Sequence, residues 1–144
     1  MASSSPAAAR GRIALIEDDI PMATMLCYNI EAVGHAVEWI DNGTSALAQL
    51  RAVPPTLVVL DWNLPGLSGI EITRQLRSAR CTERLPVLMI TGRCEDHDRR
   101  SAMAAGVDVF VAKPFAVATF ISTMQGLLVG YAHSRRSEIG GTCR

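Results

Sequence analysis

The feature of the sequence that most constrains its fold is a set of short apolar runs that each end in a polar residue. The clearest reads Leu-Val-Val-Leu over residues 57–60 and ends at Asp61. Four consecutive apolar residues, two of them β-branched, predict a short strand that is buried on both faces. A carboxylate at the carboxyl end of such a strand lies where open α/β sheets bind their ligands. Taken alone, Asp61 reads more often as the cap of a turn, since Pro65-Gly66 follows closely.

Three further runs favour a ligand site at Asp61 over a turn cap, because they also end in residues that ligand sites use. Ile13–Ile16 ends in Glu17-Asp18-Asp19, Val87–Ile90 ends in Thr91, and Val109–Ala112 ends in Lys113-Pro114. These ends meet only if the strands are parallel neighbours, and the connections between the runs are long enough for crossover helices.

Helical patterns alternate with the strands along the chain. A helix starting near Pro21 ends at Gly34, and the strand that follows, His35–Ile40, is expected to bury Val37, Trp39 and Ile40. Further helices are predicted from Asn42, around Ile72 and Leu76, over Glu95–Ala105, and from Phe115 to about Tyr131, with a last strand over Val107–Ala112. This alternation predicts an α/β fold, a doubly wound parallel sheet with helices on both faces.

Length and composition favour one domain without a membrane or nucleic-acid role. At 144 residues the chain fits a single domain, predicted over 11–131, between a disordered leader at 1–10 and a flexible tail at 132–144. Acidic and basic residues balance at 14 each, so no net field attracts the chain to nucleic acid or to anionic lipid. The absence of a signal peptide or an apolar span, together with four unpatterned cysteines, predicts a cytoplasmic protein with reduced thiols.

The predicted carboxyl edge of the sheet gathers three acids: Glu17, Asp18 and Asp61. Like charges that lie close together favour the uptake of a cation, and hard carboxylate oxygens select Mg²⁺ or Mn²⁺ over zinc. Asn63 is placed to offer its main-chain carbonyl to the same ion. A plainer reading, an acidic helix cap at Asp18 or Asp19, explains Asp19 but leaves Glu17 and Asp61 without a role.

Two residues of opposite character face these acids. Lys113 supplies a point charge suited to a phosphate, and Thr91 supplies a hydroxyl donor. A nucleophilic carboxylate, a divalent ion, a lysine and a hydroxyl together make a phosphoryl-transfer site, where positioning and charge neutralisation do most of the catalysis.

Over about residues 12–130 the chain resembles the receiver domain of bacterial two-component response regulators. The segments that carry the resemblance are Ile16–Asp19, Leu60–Gly66 with Gly69, Thr91-Gly92, and Phe110 with Lys113–Phe115. The resemblance implies a flavodoxin-like fold with five parallel strands in the order 2-1-3-4-5, and a cis peptide bond between Lys113 and Pro114.

The resemblance also implies the role of each site residue. Asp61 would accept a phosphoryl group from a histidine kinase or a histidine phosphotransfer protein. Asp18 would bind the metal directly, Glu17 through water, and Asn63 through its main-chain carbonyl. Thr91 and Lys113 would bind the phosphoryl oxygens.

Phosphorylation would be read out through Thr91 and Phe110. Thr91 would move toward the phosphoryl group, and Phe110 would swing into the vacated space, unless Phe110 is simply a fixed core residue. The responsive surface would comprise the helix over Glu95–Ala105, the last strand and the closing helix. This surface lacks the charges through which OmpR/PhoB-type receivers dimerise, so a more apolar contact with a downstream protein or a second copy fits it better.

Three alternatives stand beside a phosphorylation switch. The chain could be the receiver portion of a longer OmpR/PhoB-type transcriptional regulator. It could be an aspartyl-phosphate phosphatase, although Asn63 stands where those enzymes carry an acid–base aspartate, so the expectation is that it is not an enzyme. It could also be a scaffold that takes no phosphate, which the complete acidic set and Lys113 argue against.

Overall fold

Strands and helices alternate strictly in this computed structural model, which describes residues 11–93 and 95–139, with side chains up to Tyr131. In chain order the elements are β1 (Arg12–Ile16), α1 (Ile20–Ala32), β2 (Ala36–Ile40), α2 (Gly43–Ala52), β3 (Leu57–Asp61), α3 (Gly69–Arg77), β4 (Val87–Thr91), α4 (Asp96–Ala105), β5 (Val109–Ala112) and α5 (Val117–Ile139).

The five strands form one parallel sheet in the order β2-β1-β3-β4-β5, which confirms the predicted fold class and topology. The central strand β3 is buried along its whole length, as the unbroken apolar run predicted. Because all strands point the same way, the carboxyl ends of β1, β3, β4 and β5 lie side by side at one edge of the sheet.

Alternate side chains of β3 enter two separate cores. Val58 and Leu60 pack toward α2, α3 and α4, whereas Leu57 and Val59 pack toward α1 and α5. The largest contributors from α1 and α5 are fully buried: Leu26, Ile30, Phe120 and Met124. Helices therefore cover both faces, and burial of this apolar surface is the main stabilising term of the fold.

Polar side chains fix where the helices begin. The Asp19 carboxylate accepts a hydrogen bond from the Met22 N–H at 2.9 Å at the start of α1, and the Asn42 side-chain Oδ1 atom accepts one from the Ser45 N–H at 2.9 Å at the start of α2. Such caps satisfy backbone donors that have no partner within the helix. Asp19 therefore has a structural role as a helix cap, and it does not belong to the acidic cluster that contains Glu17 and Asp18.

Three details of the sequence prediction are wrong. Trp39 is 41% exposed rather than buried, because β2 is an edge strand of the sheet and its side chains are covered less completely. The closing helix α5 does not end near Tyr131 but continues to Ile139, through residues that were assigned to a flexible tail. The last strand is also shorter than expected and begins at Val109.

The predicted leader at 1–10 and the end of the predicted tail at 140–144 lie outside the described residues. Within the residues that are described, no helix combines the length and the apolar content that crossing a membrane requires.

Candidate functional site

Three carboxylates meet at the carboxyl edge of the sheet, where β1 and β3 end. Glu17, Asp18 and Asp61 each offer an oxygen, and these oxygens all lie within 4.8 Å of one another. Glu17 and Asp61 are buried, at 1% and 5% exposure, whereas Asp18 is exposed. The predicted acidic cluster is therefore formed, with two members inside the protein and one at the solvent side.

Glu17 occupies an unusual environment for a carboxylate. Its Oε2 atom accepts a hydrogen bond from the Asp19 N–H at 3.1 Å, but its buried Oε1 atom has no hydrogen-bond partner among the described residues. Burial, reinforced by the negative charge of Asp61, raises the pKa of Glu17 to about 7. A buried carboxylate oxygen without a partner is costly, and a bound cation would remove that cost.

Asp61 is held by a different group at each of its oxygens. Its Oδ2 atom lies 2.8 Å from the Lys113 ammonium nitrogen, and its Oδ1 atom accepts a hydrogen bond from the Asn63 N–H at 3.0 Å. Burial lowers the pKa of Lys113, but its hydrogen bond and ion pair with Asp61, with smaller contributions from Glu17 and Asp19, outweigh burial and raise it above its usual value. Lys113 is accordingly a charged partner of Asp61.

Thr91 ends β4 beside this pair and is fully buried. Its hydroxyl oxygen accepts a hydrogen bond from the Arg93 N–H at 2.8 Å, and its carbonyl accepts one from the Lys113 N–H at 2.8 Å. The second of these bonds joins the ends of β4 and β5, so the predicted hydroxyl and lysine lie at the same edge of the sheet. The peptide bond between Lys113 and Pro114 is cis, as predicted.

Phe110 lies in β5, farther from the acids, and is half-buried. Its ring packs edge-on against Trp62, with ring centroids 6.4 Å apart, and the Arg99 guanidinium lies 5.5 Å from its centroid. Phe110 therefore connects the loop after Asp61 to α4.

Two contacts of the site were not predicted from the sequence. The exposed Trp39 donates its indole N–H to the Glu17 carbonyl at 2.7 Å, and the Arg93 guanidinium lies 4.9 Å from the Trp62 ring centroid. Trp62 directly follows Asp61, and Arg93 comes two residues after Thr91, so their closeness to site residues in sequence was the available signal.

Glycine is required at positions 43 and 69, next to the loop that follows Asp61. A Cβ atom on Gly69 would collide with the Asp61 carbonyl oxygen, and one on Gly43 would collide with the Leu67 carbonyl oxygen. The loop after β3 therefore packs closely enough against α2 and α3 to hold Asp61 and Asn63 in place.

The donor set fits a small, hard divalent cation. All three charged donors are carboxylates, and the Glu17 Oε1 atom provides a buried oxygen that lacks a partner. Mg²⁺ and Mn²⁺ prefer oxygen ligands, and a divalent charge would return Glu17 to its ionised form.

The sequence from residue 13 to residue 125 matches the family model of the response regulator receiver domain. The protein belongs to this family, and it is a receiver domain of a two-component response regulator. The chain is 41% identical over 117 residues to the phosphate regulon transcriptional regulatory protein PhoB of Rhizobium meliloti, with 81% of this chain and 52% of that protein covered. It is 33% identical over 117 residues to PhoB of Escherichia coli, again with 81% of this chain and 51% of that protein covered. The chain thus spans about half the length of these curated relatives.

Solved structures show the same architecture. The signal receiver domain of a signal transduction histidine kinase from Syntrophus aciditrophicus aligns with a TM-score of 0.78 at 28% identity, covering 83% of this chain and 91% of that one. The receiver domain of the sensor histidine kinase PA1611 from Pseudomonas aeruginosa aligns with a TM-score of 0.76 at 26% identity, covering 83% and 98%. That structure contains a magnesium ion coordinated in its active-site cleft.

Proposed function

We propose that Asp61 is the phosphoacceptor of this receiver and that a histidine kinase or a histidine phosphotransfer protein is the donor. An Asp61 carboxylate oxygen attacks the phosphorus of phosphohistidine, a new O–P bond forms, the N–P bond breaks, and the imidazole leaves. The observation that supports this most strongly is the joint placement of Asp61 within 4.8 Å of two acids and 2.8 Å from Lys113.

The other residues of the site then have separate tasks. Lys113 neutralises charge on the transferred group, and the Thr91 hydroxyl donates to one of its oxygens. Asp18, Asp61, the Asn63 main-chain carbonyl and, through water, Glu17 hold Mg²⁺, with Mn²⁺ as a substitute. When bound, the ion neutralises the acids and the incoming phosphoryl group.

The output of this switch is a change of surface rather than sustained catalysis. Phosphorylation adds a charge of roughly −1.5 to −2 at Asp61, and Thr91 and Phe110 transmit it to the face formed by α4, β5 and α5. That face then binds a downstream protein or a second copy of the chain. Asn63 has no titratable group that could act as the acid–base residue of a phosphatase, which supports a signalling role over an enzymatic one. The proposed location of this signalling is the cytoplasm.

A second candidate is the receiver portion of a longer transcriptional regulator. The 41% identity to a PhoB protein favours it, because that relative is a transcriptional regulatory protein of about twice the aligned length. In that arrangement the α4–β5–α5 face would act on an attached domain, and the receiver itself would still make no direct contact with nucleic acid.

The phosphoacceptor assignment is tested by exposing the purified protein to acetyl phosphate with Mg²⁺ and measuring intact mass. We expect one phosphoryl adduct in the wild type, none in Asp61→Asn, and a normal adduct in Asp96→Asn, which removes an exposed carboxylate elsewhere. An adduct that persists in Asp61→Asn would identify a different acceptor. The lack of any adduct in the wild type would support the scaffold alternative.

A further inference from the structure

Trp39 joins the edge strand β2 to the loop that carries two of the acids. Its indole N–H donates to the Glu17 carbonyl at 2.7 Å, and the Glu17 N–H donates to the Ile40 carbonyl at 3.0 Å. Because β2 ends at Ile40, the indole supplies a donor at the point where the backbone ladder between β1 and β2 stops. Both backbone polar groups of Glu17 are therefore held by the end of β2.

The carbonyl that Trp39 holds belongs to the peptide unit between Glu17 and Asp18. A peptide unit is planar, so the direction of its carbonyl fixes the plane in which the α-carbons of both residues lie. The Glu17 side chain is held from the same loop, since its Oε2 atom accepts a hydrogen bond from the Asp19 N–H at 3.1 Å. Two of the three acids thus extend from one peptide plane whose orientation Trp39 helps to fix.

Repulsion among the acids works against this arrangement. Oxygens of Glu17, Asp18 and Asp61 lie within 4.8 Å of one another, and like charges so close together raise the energy of the site until a cation binds. Asp18 is exposed and lies in the loop between β1 and α1, so little packing prevents it from moving away from Asp61. A hydrogen bond to the adjoining peptide opposes that movement.

Core packing does not account for the position of Trp39. The side chain is 41% exposed and lies outside both apolar cores. It therefore buries less apolar surface than a core tryptophan would, whereas its indole N–H has a specific partner at a short distance. The hydrogen bond to Glu17 is the more specific contribution of this side chain.

We propose that Trp39 is a positioning residue of the metal site, an inference that rests on the proposed binding of Mg²⁺ by Glu17, Asp18 and Asp61. Trp39 is not itself a ligand, because its indole N–H is a donor only. Its bond keeps the Glu17-Asp18 peptide in the metal-binding orientation before the ion arrives. Without the bond, repulsion moves the acids apart, and the affinity for the ion falls by the cost of bringing them back.

The test is a calorimetric titration of Mg²⁺ into the wild type, Trp39→Phe, Trp39→Gln and Tyr28→Phe. Trp39→Phe keeps an aromatic ring but lacks the N–H, whereas Trp39→Gln keeps an N–H donor of similar reach but lacks the ring. Tyr28→Phe is the matched control, because it removes one polar group from an aromatic side chain that is 72% exposed in α1.

We expect the dissociation constant for Mg²⁺ to rise roughly three- to tenfold in Trp39→Phe, the factor that the loss of one hydrogen bond implies. The rise should be smaller in Trp39→Gln, and Tyr28→Phe should match the wild type. Urea unfolding in EDTA should show that all four proteins are folded under the conditions of the titration.

A second measurement separates positioning of the metal site from a general loss of structure. The rate of adduct formation from acetyl phosphate should be lower in Trp39→Phe than in the wild type at limiting Mg²⁺. At saturating Mg²⁺ the two rates should be equal, because Trp39 acts on the site of the ion and not on the transferred group. A merely structural role would not give this dependence on Mg²⁺.

The outcomes distinguish this inference from the proposed function. If the wild type binds Mg²⁺ and Trp39→Phe binds it equally well, or if Trp39→Gln loses more affinity than Trp39→Phe, the inference is wrong and the proposed function stands. If the wild type binds no Mg²⁺, the proposed metal site fails, and the role of Trp39 fails with it. If the wild type binds Mg²⁺ but forms no adduct, the phosphoacceptor assignment fails, and the titration supports or overturns the role of Trp39 independently.

Discussion

The environment of Glu17 gives the clearest indication that this site accepts a cation. It is buried with Asp61 as a close negative neighbour, and one of its oxygens has no partner among the described residues. A group in this state favours the protonated form until a cation arrives. The protein therefore carries an energetic cost at this position that a bound cation would remove.

The raised pKa of Glu17 predicts a pH-dependent stability in the absence of metal. With a pKa of about 7 in the folded protein, against 4.5 when unperturbed, the folded state binds more protons than the unfolded chain between these values. The free energy of unfolding should consequently fall as the pH rises through this window, by on the order of 3 kcal/mol.

Urea unfolding in EDTA from about pH 5 to about pH 8 measures this dependence. Glu17→Gln should flatten the profile over that range, whereas Glu83→Gln, the same change at an exposed position, should leave it unaltered. An equally steep profile in Glu17→Gln would show that another group is responsible.

At the scale of elements, Arg77 at the end of α3 joins four parts of the fold. Its guanidinium donates to the carbonyls of Leu85 at 2.7 Å and Gly106 at 2.8 Å, and it forms an ion pair with Asp108 at 3.0 Å. Asp108 in turn accepts hydrogen bonds from the Tyr131 hydroxyl at 3.0 Å and from the Val87 N–H at 2.8 Å. Burial and the charge of Asp108 raise the pKa of Tyr131 to about 12.

Removal of the Arg77 side chain should lower the free energy of unfolding far more than removal of the Arg74 side chain in the same helix. Arg77→Met removes the donor to several carbonyls and the positive partner of the partly buried Asp108, so we expect a loss of about 2–4 kcal/mol in the free energy of unfolding. Arg74→Met removes only an exposed pair with Glu71, for an expected loss below about 0.5 kcal/mol. Chemical denaturation of both variants tests the difference, and equal losses would contradict the role of Arg77.

The elements show where sequence patterns were informative and where they failed. The apolar run that ends at Asp61 was enough to predict a buried strand. Its side chains face two apolar layers, so the local sequence alone carries the signal. Trp39 has the same apolar character, but its exposure depends on β2 lying at the sheet edge, which is a tertiary property. The bonds of Arg77 and the stacking of Arg93 on Trp62 likewise join residues brought together only by folding, and no local periodicity encodes them. The sequence did not predict that α5 continues beyond Tyr131, because the segment contains Arg135-Arg136 and is followed by Gly140-Gly141, a composition that resembles a tail.

At the scale of the whole molecule, the site should couple metal binding to folding. The acids come from β1 and β3 and the lysine from the end of β5, so a bound ion is held only by the folded chain. A ligand that binds the folded state alone stabilises it by mass action, by about 1.4 kcal/mol at ten times its dissociation constant.

We therefore expect Mg²⁺ at that concentration to raise the melting temperature by about 3–5 °C. Scanning calorimetry with Mg²⁺ or EDTA measures the shift. Asp18→Asn, which alters an exposed residue of the proposed metal site and leaves the core intact, should abolish most of it, whereas Asp96→Asn should retain it. A full shift in Asp18→Asn would place the ion elsewhere.

The helix α5 begins four residues after Lys113 and runs without interruption for 23 residues. A helix of that length measures about 35 Å, so a tilt of about 5° at its beginning displaces its far end by about 3 Å. A tilt of this kind would make the helix a lever, with its fulcrum beside Lys113 and its far end at Ile139. A protein bound at the far end of α5 would then undergo a larger displacement than the residues around Asp61 when Asp61 is phosphorylated.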